Sequence, residues 1–448
     1  MARTALALVA FVVAVSYPVR GRAQAAPVDA ADRCVVGTYL LENGTDIDIG
    51  PGDGEKLRWR RKDGTTGELA KGKEGAWISS FGWTGRPDGK RASFASCTAS
   101  QRTLTFDGVA GKKLELKEID TRFAGAGAIL SGRLTLPPGS GRIPIVVLVH
   151  GAERSSALDS YSLQRQFASE GIGVFAYDKR GTGTSGGGYT QNYLLLANDA
   201  IAAMREAKRL AGTRTGRVGY QAGSQGGWVA PLAARIEPVD FLVVGFGLAV
   251  SPLDEDREAI AFDMERSGFG PEIKAKAIRV ADAAAGILLS DFTEGYEALE
   301  RVRREYSAEP WFKHVRGNVT WYLLATPVDE IRREGPRLLA GIPMQYDPLP
   351  VLENLSVPQL WIFGGQDRDA PPGETLRRLS RLKTMGRPIT TAVYPLADHG
   401  IYEYETRPDG ERVSTRNPEG YFQVMRDYIV HGRLDGDYGA ARISEAGR

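Results

Sequence analysis

The sequence predicts an α/β fold in which a doubly wound, mostly parallel sheet carries a helical insertion and follows a small all-β N-terminal domain. Short β-type runs separated by turn residues fill positions 28–120. From 121 to 448, buried-type strands alternate with amphipathic helices, a pattern typical of a doubly wound sheet. Between 253 and 341 the strand pattern stops and charged helical segments replace it, which indicates an insertion into the sheet domain.

Composition fits such a globular chain and favours no particular partner. The 448 residues are 42% hydrophobic and 25% charged, enough for one large domain and a smaller one. The net charge is only +2, and the basic run at 58–62 fits the solvated face of a strand. We therefore expect no nucleic-acid partner.

The N-terminus has the pattern of a secretory signal peptide over residues 1–25. Arg3 precedes an apolar run from Ala5 to Val15, and Ala23-Gln24-Ala25 supplies small residues for cleavage. The run is too short to span a bilayer, and no later segment reaches the roughly 18 apolar residues required. We expect export to the periplasm or medium, with no transmembrane segment after signal removal; an uncleaved anchor is the alternative.

Export would place the two cysteines, Cys34 and Cys97, in an oxidising compartment. A disulfide between them would enclose most of the N-terminal region. Two free buried thiols are the alternative, and the spacing excludes a CxxC redox or zinc motif.

The N-terminal β region contains no histidine, carboxylate cluster or glycine loop before a helix. Asn43-Gly44 and Asp63-Gly64 suit type I′ hairpin turns, and the strand at Leu114 to Ile119 is assigned to this region. We predict a stabilising or substrate-screening appendage.

In the sheet domain, the apolar run Ile145 to Val149 is predicted to be buried on both faces of a parallel sheet. A strand pair is predicted at Gly127 to Pro137, and further single strands are predicted at Gly173 to Tyr177, Arg217 to Tyr220, Phe241 to Gly245, Pro358 to Phe363 and Ile389 to Tyr394. Helices are predicted at Ser160 to Ser169, at Tyr193 to Leu210 with Gly212 as its stop, and at the C-terminus between Asn417 as N-cap, Pro418 at N1 and Gly432.

The insertion at 253–341 follows a sheet strand directly. In doubly wound sheets, ligands bind beyond the carboxyl ends of the strands, so a helical insertion there is expected to act as a lid. A solvated helical decoration without a gating role is the alternative.

Ser224 is the candidate nucleophile. The stretch 216–231 predicts a strand, a glycine-tight corner and a helix, with Ser224 held at positive φ between the small residues Ala222 and Gly226. The amide of Gln225, at the helix N-terminus, is then placed to donate to a developing oxyanion. An ordinary helix-capping serine is the alternative interpretation.

Ser185 is a competing match, since residues 183–187 fit the G-x-S-x-G pattern literally. No strand leads directly into that loop and no helix starts directly after it, so we interpret Ser185 as a decoy.

Among four histidines, His399 is the candidate base because it lies in a loop shortly after the final strand. His431 and His314 are expected at the surface, and His150 closes a strand, where its ring has a structural position. A satisfied structural histidine is the alternative for His399.

The candidate acid is Asp367, in the loop after the strand at Pro358 to Phe363, and Asp369 of the same loop is the fallback. A second oxyanion donor is expected from the amide of Ala152, with Gly151 letting the backbone turn. The order of serine, aspartate and histidine, each after a different strand, is that of α/β-hydrolases.

The chain resembles the α/β-hydrolase superfamily, specifically its bacterial esterases and serine-aminopeptidase-like members, over residues 122–431. The motifs are VVLVHG, YDKRGTGTSGG, GSQGGWVAP, VPQLWIFGGQD and ADHG. By resemblance, Tyr177 to Gly183 is a structural turn. The sequence departs from the usual pattern at Ala222 and Gly223, and Pro231 is expected to bend the helix after Ser224.

These residues predict an exported serine hydrolase that cleaves carboxylic esters, or related acyl bonds, of a small-molecule or peptide-like substrate. Ser224, His399 and Asp367 form the predicted triad, with no metal or organic cofactor. One alternative is a peptidase in which the acidic residues at 254–258 bind the substrate amine. Another is a catalytically silent hydrolase fold that serves as a binding module.

Overall fold

The computed structural model describes residues 33–72, 75–98, 102–339 and 341–445. The predicted signal peptide, residues 1–25, lies outside the described residues. Within them, no helix has the length and apolar character needed to cross a bilayer. The predicted fold class is confirmed, because a closed β-barrel precedes a mixed α/β sheet that carries a helical insertion.

The barrel consists of eight antiparallel strands paired in chain order, and its first strand closes on the last. The strands are β1 (Gly37–Leu41), β2 (Asp46–Pro51), β3 (Leu57–Arg60), β4 (Thr66–Lys71), β5 (Trp77–Phe81), β6 (Pro87–Phe94), β7 (Thr103–Phe106) and β8 (Val109–Lys113). Side chains alternate between the two faces of each strand, and large inward residues such as Tyr39, Trp59 and Phe106 fill the interior. The barrel therefore encloses a packed core.

The type I′ turns predicted for this region are wrong. In the first hairpin, Leu41 N donates to Thr45 O at 2.8 Å across a three-residue loop, and only Gly44 of that loop has positive φ, 81°. The Asn43 side chain accepts from Thr45 N at 3.1 Å, which stabilises this conformation. The Asp63-Gly64 hairpin has the same arrangement.

Cys34 and Cys97 form a disulfide with 5.7 Å between their Cα atoms and a sequence separation of 63. A cross-link over a loop of this length restricts the unfolded chain, so replacing both cysteines by serine should lower the free energy of unfolding by about 2–4 kcal/mol. Urea unfolding of wild type with and without dithiothreitol measures the effect. The double variant is the control, and its stability should not respond to the reductant.

In the described part of the chain, nine strands form the second sheet in the order β19-β16-β15-β14-β13-β11-β12-β10-β9. Their ranges are β9 (Lys117–Ala124), β10 (Ile129–Leu136), β11 (Ile143–Val149), β12 (Gly173–Tyr177), β13 (Thr215–Gly223), β14 (Phe241–Gly245), β15 (Gln359–Gly364), β16 (Ile389–Tyr394) and β19 (Arg442–Ser444). The six strands from β11 to β16 are parallel, and antiparallel strands lie at both edges.

The strand predicted at Leu114 to Ile119 does not belong to the barrel. The chain leaves the barrel after Lys113, and β9 then pairs with β10 along eight positions, from Lys117 opposite Leu136 to Ala124 opposite Ile129. The uninterrupted ladder with β10 places β9 in the larger sheet.

Helices cover both faces of this sheet. They are α1 (Ala157–Ser160), α2 (Leu163–Ala168), α3 (Tyr193–Ala211), α4 (Gly226–Ile236), α10 (Leu349–Glu353), α11 (Pro372–Thr384) and α12 (Tyr421–His431). Val147 of β11 packs into the core with α3 and α4, whereas the neighbouring Leu148 packs on the other face with α2 and α12. This alternation explains the unbroken apolar run of β11.

Two helix predictions need correction. The helix expected at Ser160 to Ser169 is two short helices, α1 and α2. The C-terminal helix begins at Tyr421 with Gly420 as N-cap, because the Asn417 side chain donates to Ile401 O at 2.7 Å and cannot cap the helix. Its predicted end is confirmed, since Gly432 is the C-cap at φ 72°.

The segment predicted as a lid contains helices α5 (Pro252–Arg266), α6 (Pro271–Leu289), α7 (Tyr296–Tyr306), α8 (Thr320–Ala325) and α9 (Val328–Leu339). They form two small hydrophobic cores, one around Leu299 and Leu323 and the other around Met264 and Trp311. The insertion, residues 252–342, therefore has its own packing and lies beyond the carboxyl end of β14.

Candidate active site

Ser224 lies at the corner between β13 and α4, with a φ of 52°. Its N–H donates to Gly245 O at 3.1 Å, which holds the corner against the next strand. At Gly226 a Cβ would lie 3.0 Å from the backbone oxygens of Val149 and His150, so a larger residue would force strand and helix apart. The tight corner places the serine hydroxyl above the sheet edge.

The structure brings Ser224, His399 and Asp367 together. His399 Nε2 lies 3.2 Å from Ser224 Oγ, and His399 Nδ1 lies 2.9 Å from Asp367 Oδ2. The three residues follow β13, β16 and β15, whose parallel carboxyl ends meet at one edge of the sheet. This is the arrangement needed to move a proton from a hydroxyl to an imidazole that a carboxylate orients.

Asp367, and not the fallback Asp369, contacts the imidazole. Asp367 is buried, and its Oδ1 accepts from the backbone N–H groups of Asp369 and Ala370 at 3.0 and 2.8 Å. These bonds fix the carboxylate under His399. Asp369 therefore contacts Asp367 through the Asp369 backbone N–H.

Negative charge dominates the electrostatics of His399. Burial lowers the pKa of His399, but the carboxylates of Asp367, Asp369 and Asp398 outweigh it and raise that pKa above its usual value. Burial raises the pKa of Asp367, and the nearby imidazole opposes this change. The surroundings therefore stabilise the protonated imidazole, the form that arises when the ring accepts the serine proton.

Asp369→Asn should shift the pH dependence of activity. Removing a negative charge near His399 lowers its pKa, so the neutral base persists to lower pH and the acidic limb of kcat/KM should move to lower pH. Burial raises the pKa of Asp369 itself to about 7, so the effect should be clearest above that pH. A pH profile measures the shift, with Asp329→Asn, at an exposed position of α9, as the control. A limb that stays fixed or moves upward contradicts this account.

Both predicted oxyanion donors lie beside Ser224. Gln225 and Ala152 line the same cavity as Ser224, and their N–H groups have no backbone acceptor among the described residues. Gly151 is so close that a Cβ there would lie 3.5 Å from Ser224 Cβ. The two amides are free to donate to an oxygen that forms next to the serine.

Lys179 is a functional candidate that the sequence interpretation missed. Its Nζ donates to Gly151 O at 2.7 Å, and this carbonyl shares a peptide plane with the Ala152 N–H, which points the opposite way. Burial lowers the pKa of Lys179 to about 8, and the charge of Glu153 opposes that change. Lys179 lies two residues after the buried strand β12, but nothing in its local sequence distinguishes it, and the interpretation of this segment as a structural turn gave it no role.

Two of the remaining candidates, Ser185 and His150, have structural partners, and His431 lies at the surface. Ser185 Oγ donates to Asp178 O at 2.6 Å and accepts from Ser131 N at 2.9 Å. His150 Nε2 lies 2.7 Å from Tyr177 O, and His431 is exposed at the end of α12.

A cavity of about 50 Å³ adjoins the serine. Its walls come from the sheet domain and from the insertion, and they comprise Ala152, Gln191, Tyr193, Ser224, Gln225, Trp228, Pro252, Glu255, Asn318, Val319 and Ile342. This volume is well below the roughly 150 Å³ of a cavity that holds benzene. Across the described ranges, no group of three or more His, Cys, Asp or Glu side chains is placed to hold a metal ion.

Part of the chain is similar in sequence to known proteins. Residues 142–251 match the family model for serine aminopeptidases of the S33 group. The chain is 33% identical over 111 residues to the esterase FrsA of Enterobacter sp. (strain 638), a match that covers 24% of this chain and 26% of that esterase.

Two solved structures illustrate the wider similarity. An esterase of Pyrococcus furiosus is 18% identical with a TM-score of 0.41, over 64% of this chain and 84% of that chain. An acylaminoacyl peptidase of Pyrococcus horikoshii is 15% identical with a TM-score of 0.43, over 87% of this chain and 57% of that chain.

The family model covers β11 to β14 and therefore includes Ala152, Lys179 and Ser224. A serine at positive φ between a strand and a helix, as between β13 and α4, is the nucleophile corner typical of α/β-hydrolases. With its nine-stranded sheet and this serine corner, the chain has the fold of α/β-hydrolases, and its residues 142–251 are similar to the serine aminopeptidases of the S33 group.

Proposed function

We propose that this protein is a serine hydrolase that cleaves carboxylic esters or related acyl bonds through an acyl-enzyme. The observation that carries the proposal is the continuous path from Ser224 Oγ to His399 Nε2 and from His399 Nδ1 to Asp367 Oδ2, at 3.2 and 2.9 Å. A serine hydroxyl is a weak nucleophile unless an adjacent base accepts its proton, and this path supplies that base.

In the proposed acylation, Ser224 Oγ attacks the substrate carbonyl carbon while His399 Nε2 takes the hydroxyl proton. The carbonyl oxygen becomes an oxyanion that accepts hydrogen bonds from the N–H groups of Gln225 and Ala152. The tetrahedral intermediate then expels the alcohol, which takes the proton from His399, and an ester to Ser224 remains.

Deacylation repeats these steps with water. His399 removes a proton from water as it attacks the acyl-enzyme, and the same amides stabilise the second oxyanion. Collapse of this intermediate breaks the bond to Ser224 Oγ, which regains its proton from His399. The carboxylic acid leaves, and Asp367 stays ionised throughout.

The cavity supports a short acyl group as the preferred substrate. Its volume of about 50 Å³ favours a small acyl group over a long hydrocarbon chain, and polar side chains of Gln191, Gln225 and Glu255 form part of its walls. A series of p-nitrophenyl esters tests this proposal. We expect kcat/KM to fall steadily from acetate through butyrate to octanoate, and a maximum at octanoate would overturn the short-chain preference.

A peptidase is the second candidate, and Glu255 is the observation that favours it. Of the acidic residues at 254–258, Glu255 lines the cavity, whereas buried Asp256 accepts from the Val319 and Thr320 backbone amides. Burial raises the pKa of Glu255 well above its usual value, and a bound ammonium group would restore its charge.

Glu255→Gln separates the two functions. A peptidase that recognises a free amine should lose activity on an aminoacyl p-nitroanilide while keeping activity on p-nitrophenyl acetate. We expect wild type to hydrolyse the ester faster than the anilide, and Glu255→Gln to retain its activity on the ester. Strong anilide hydrolysis that collapses in Glu255→Gln would favour the peptidase.

We also propose that the protein works outside the cytoplasm. The signal-like pattern of residues 1–25 and the Cys34–Cys97 disulfide support this location, since disulfides persist in oxidising compartments. Expression of the full chain followed by mass measurement of the mature N-terminus tests it, with cleavage after Ala25 expected.

A further inference from the structure

A two-stranded hairpin lies between the barrel and the loop that carries His399. Its strands are β17 (Glu403–Thr406) and β18 (Arg412–Arg416), which form a separate two-stranded sheet within the described residues. The hairpin starts four residues after His399 and ends just before α12, so it directly follows the loop that carries the histidine.

The barrel holds this hairpin through the turn between β5 and β6. Trp83 N donates to Ser414 O at 3.0 Å, and the Trp83 ring packs edge to face against Tyr402 with 4.9 Å between centroids. At Gly82, where φ is 53°, a Cβ would lie 2.4 Å from Thr415 O. The two backbones are thus in direct contact, which only glycine allows.

A second barrel turn holds the chain just after the hairpin. Asn417 N donates to Gly64 O at 3.0 Å, and Arg416 Nη2 donates to Asp63 O at 2.5 Å. Asn417 in turn donates from its side chain to Ile401 O, two residues after His399. The barrel therefore contacts both the hairpin and the residue that follows it, Asn417.

On its other side the hairpin reaches both catalytic loops through Arg412. Arg412 Nη1 donates to Asp398 Oδ2 at 2.6 Å and to Gln366 O at 2.7 Å. These two acceptors immediately precede His399 and Asp367. Asp398 Oδ1 also accepts from the His399 backbone N–H at 2.9 Å, so one guanidinium ties the base loop to the acid loop.

We propose that the N-terminal barrel is a positioning element of the catalytic centre, which acts through Trp83, the hairpin and Arg412 to hold His399 against Asp367. This inference rests on the proposed serine hydrolase function. It gives the barrel a role in catalysis beyond stability, because a misplacement of about 1 Å at a reacting group can cost about 100-fold in rate.

The test uses the full chain and variants at the two ends of this connection. Trp83→Leu removes the ring contact with Tyr402, and Trp83→Phe retains an aromatic edge-to-face contact. Arg412→Met removes both bonds to the catalytic loops and keeps the aliphatic stem. The matched control is Arg86→Met, because the largely exposed Arg86 also joins the barrel to the hairpin, at Glu405, but touches neither catalytic loop.

Active sites are counted by titration with a fluorophosphonate, and kcat and KM for p-nitrophenyl acetate are expressed per titrated site. We expect Trp83→Leu and Arg412→Met to lower kcat per site by about 10- to 100-fold with little change in KM. Trp83→Phe should recover most of the loss, and Arg86→Met should match wild type.

The pH profile adds a readout that a purely structural role would not change. Asp367, Asp369 and Asp398 from the catalytic loops and Glu255 from α5 face His399, and Trp83→Leu alters none of them. If His399 moves away from Asp367, its pKa falls and the acidic limb of kcat/KM shifts to lower pH.

The experiment distinguishes failure of the proposed hydrolase function from failure of the positioning role of the barrel. A wild-type protein that does not react with the fluorophosphonate would defeat the proposed function. If wild type reacts but Trp83→Leu loses only titrated sites or thermal stability, with unchanged kcat per site and pH profile, the barrel is only a structural support and this inference is wrong.

Discussion

Ser224→Ala should abolish ester hydrolysis, with a loss in kcat on the order of 10⁴- to 10⁶-fold. The variant lacks the oxygen that attacks the substrate, and His399 then has no hydroxyl within 3.2 Å to deprotonate. The measurement combines kinetics on a short p-nitrophenyl ester with fluorophosphonate labelling followed by mass spectrometry, and both signals should disappear together.

Ser185→Ala is the matched control for this result. Ser185 fits the nucleophile pattern in sequence, but its hydroxyl binds the backbone of Asp178 and Ser131. Its loss should lower stability by about 1–3 kcal/mol and leave kcat per folded molecule unchanged. Labelling that survives in Ser224→Ala would place the nucleophile elsewhere, and folded wild type without any labelling would favour the binding-module alternative.

Asp367→Asn should lower kcat by about 10⁴-fold while the protein stays folded. An amide in place of the carboxylate cannot stabilise the imidazolium, and its NH₂ group can favour the wrong tautomer of His399. The backbone bonds from Asp369 and Ala370 to Oδ1 can be kept by the amide oxygen, so the loop should retain its shape.

Asp369→Asn provides the comparison from the same loop. It removes a buried carboxylate that does not touch His399 directly, so we expect a modest effect on kcat alongside the shift in pH profile described above. If Asp369→Asn proves the more damaging substitution, the acid has been misassigned and Asp369 is its replacement.

Much of the sheet domain was predictable because its signals are local. The β-branched run of β11 is buried on both faces, and the glycines around Ser224 are required by the corner itself. Since parallel strands share one carboxyl edge, the sequence also indicated that Ser224, Asp367 and His399 would lie near one another.

Two of the failed predictions depend on contacts between distant parts of the chain. The position of β9 is decided by its ladder with β10. Asn417 is not a helix cap because its side chain donates a hydrogen bond to the backbone oxygen of Ile401. Lys179 and Arg412 could not be assigned for the same reason, since each acts by binding a backbone oxygen of another loop. Neither residue has a distinctive local pattern.

The contact between the barrel and the hairpin also has a consequence for biosynthesis. Arg416 reaches Asp63 across a sequence separation of 353, so this contact forms only after residue 416 has been synthesised. The barrel is synthesised early and can fold as its residues emerge, whereas the histidine loop must wait for the late segment to dock. A nascent chain with a complete barrel and a formed serine corner would still lack a competent base, and hydrolytic activity should appear only after the segment that contains Arg416 has been synthesised and has docked.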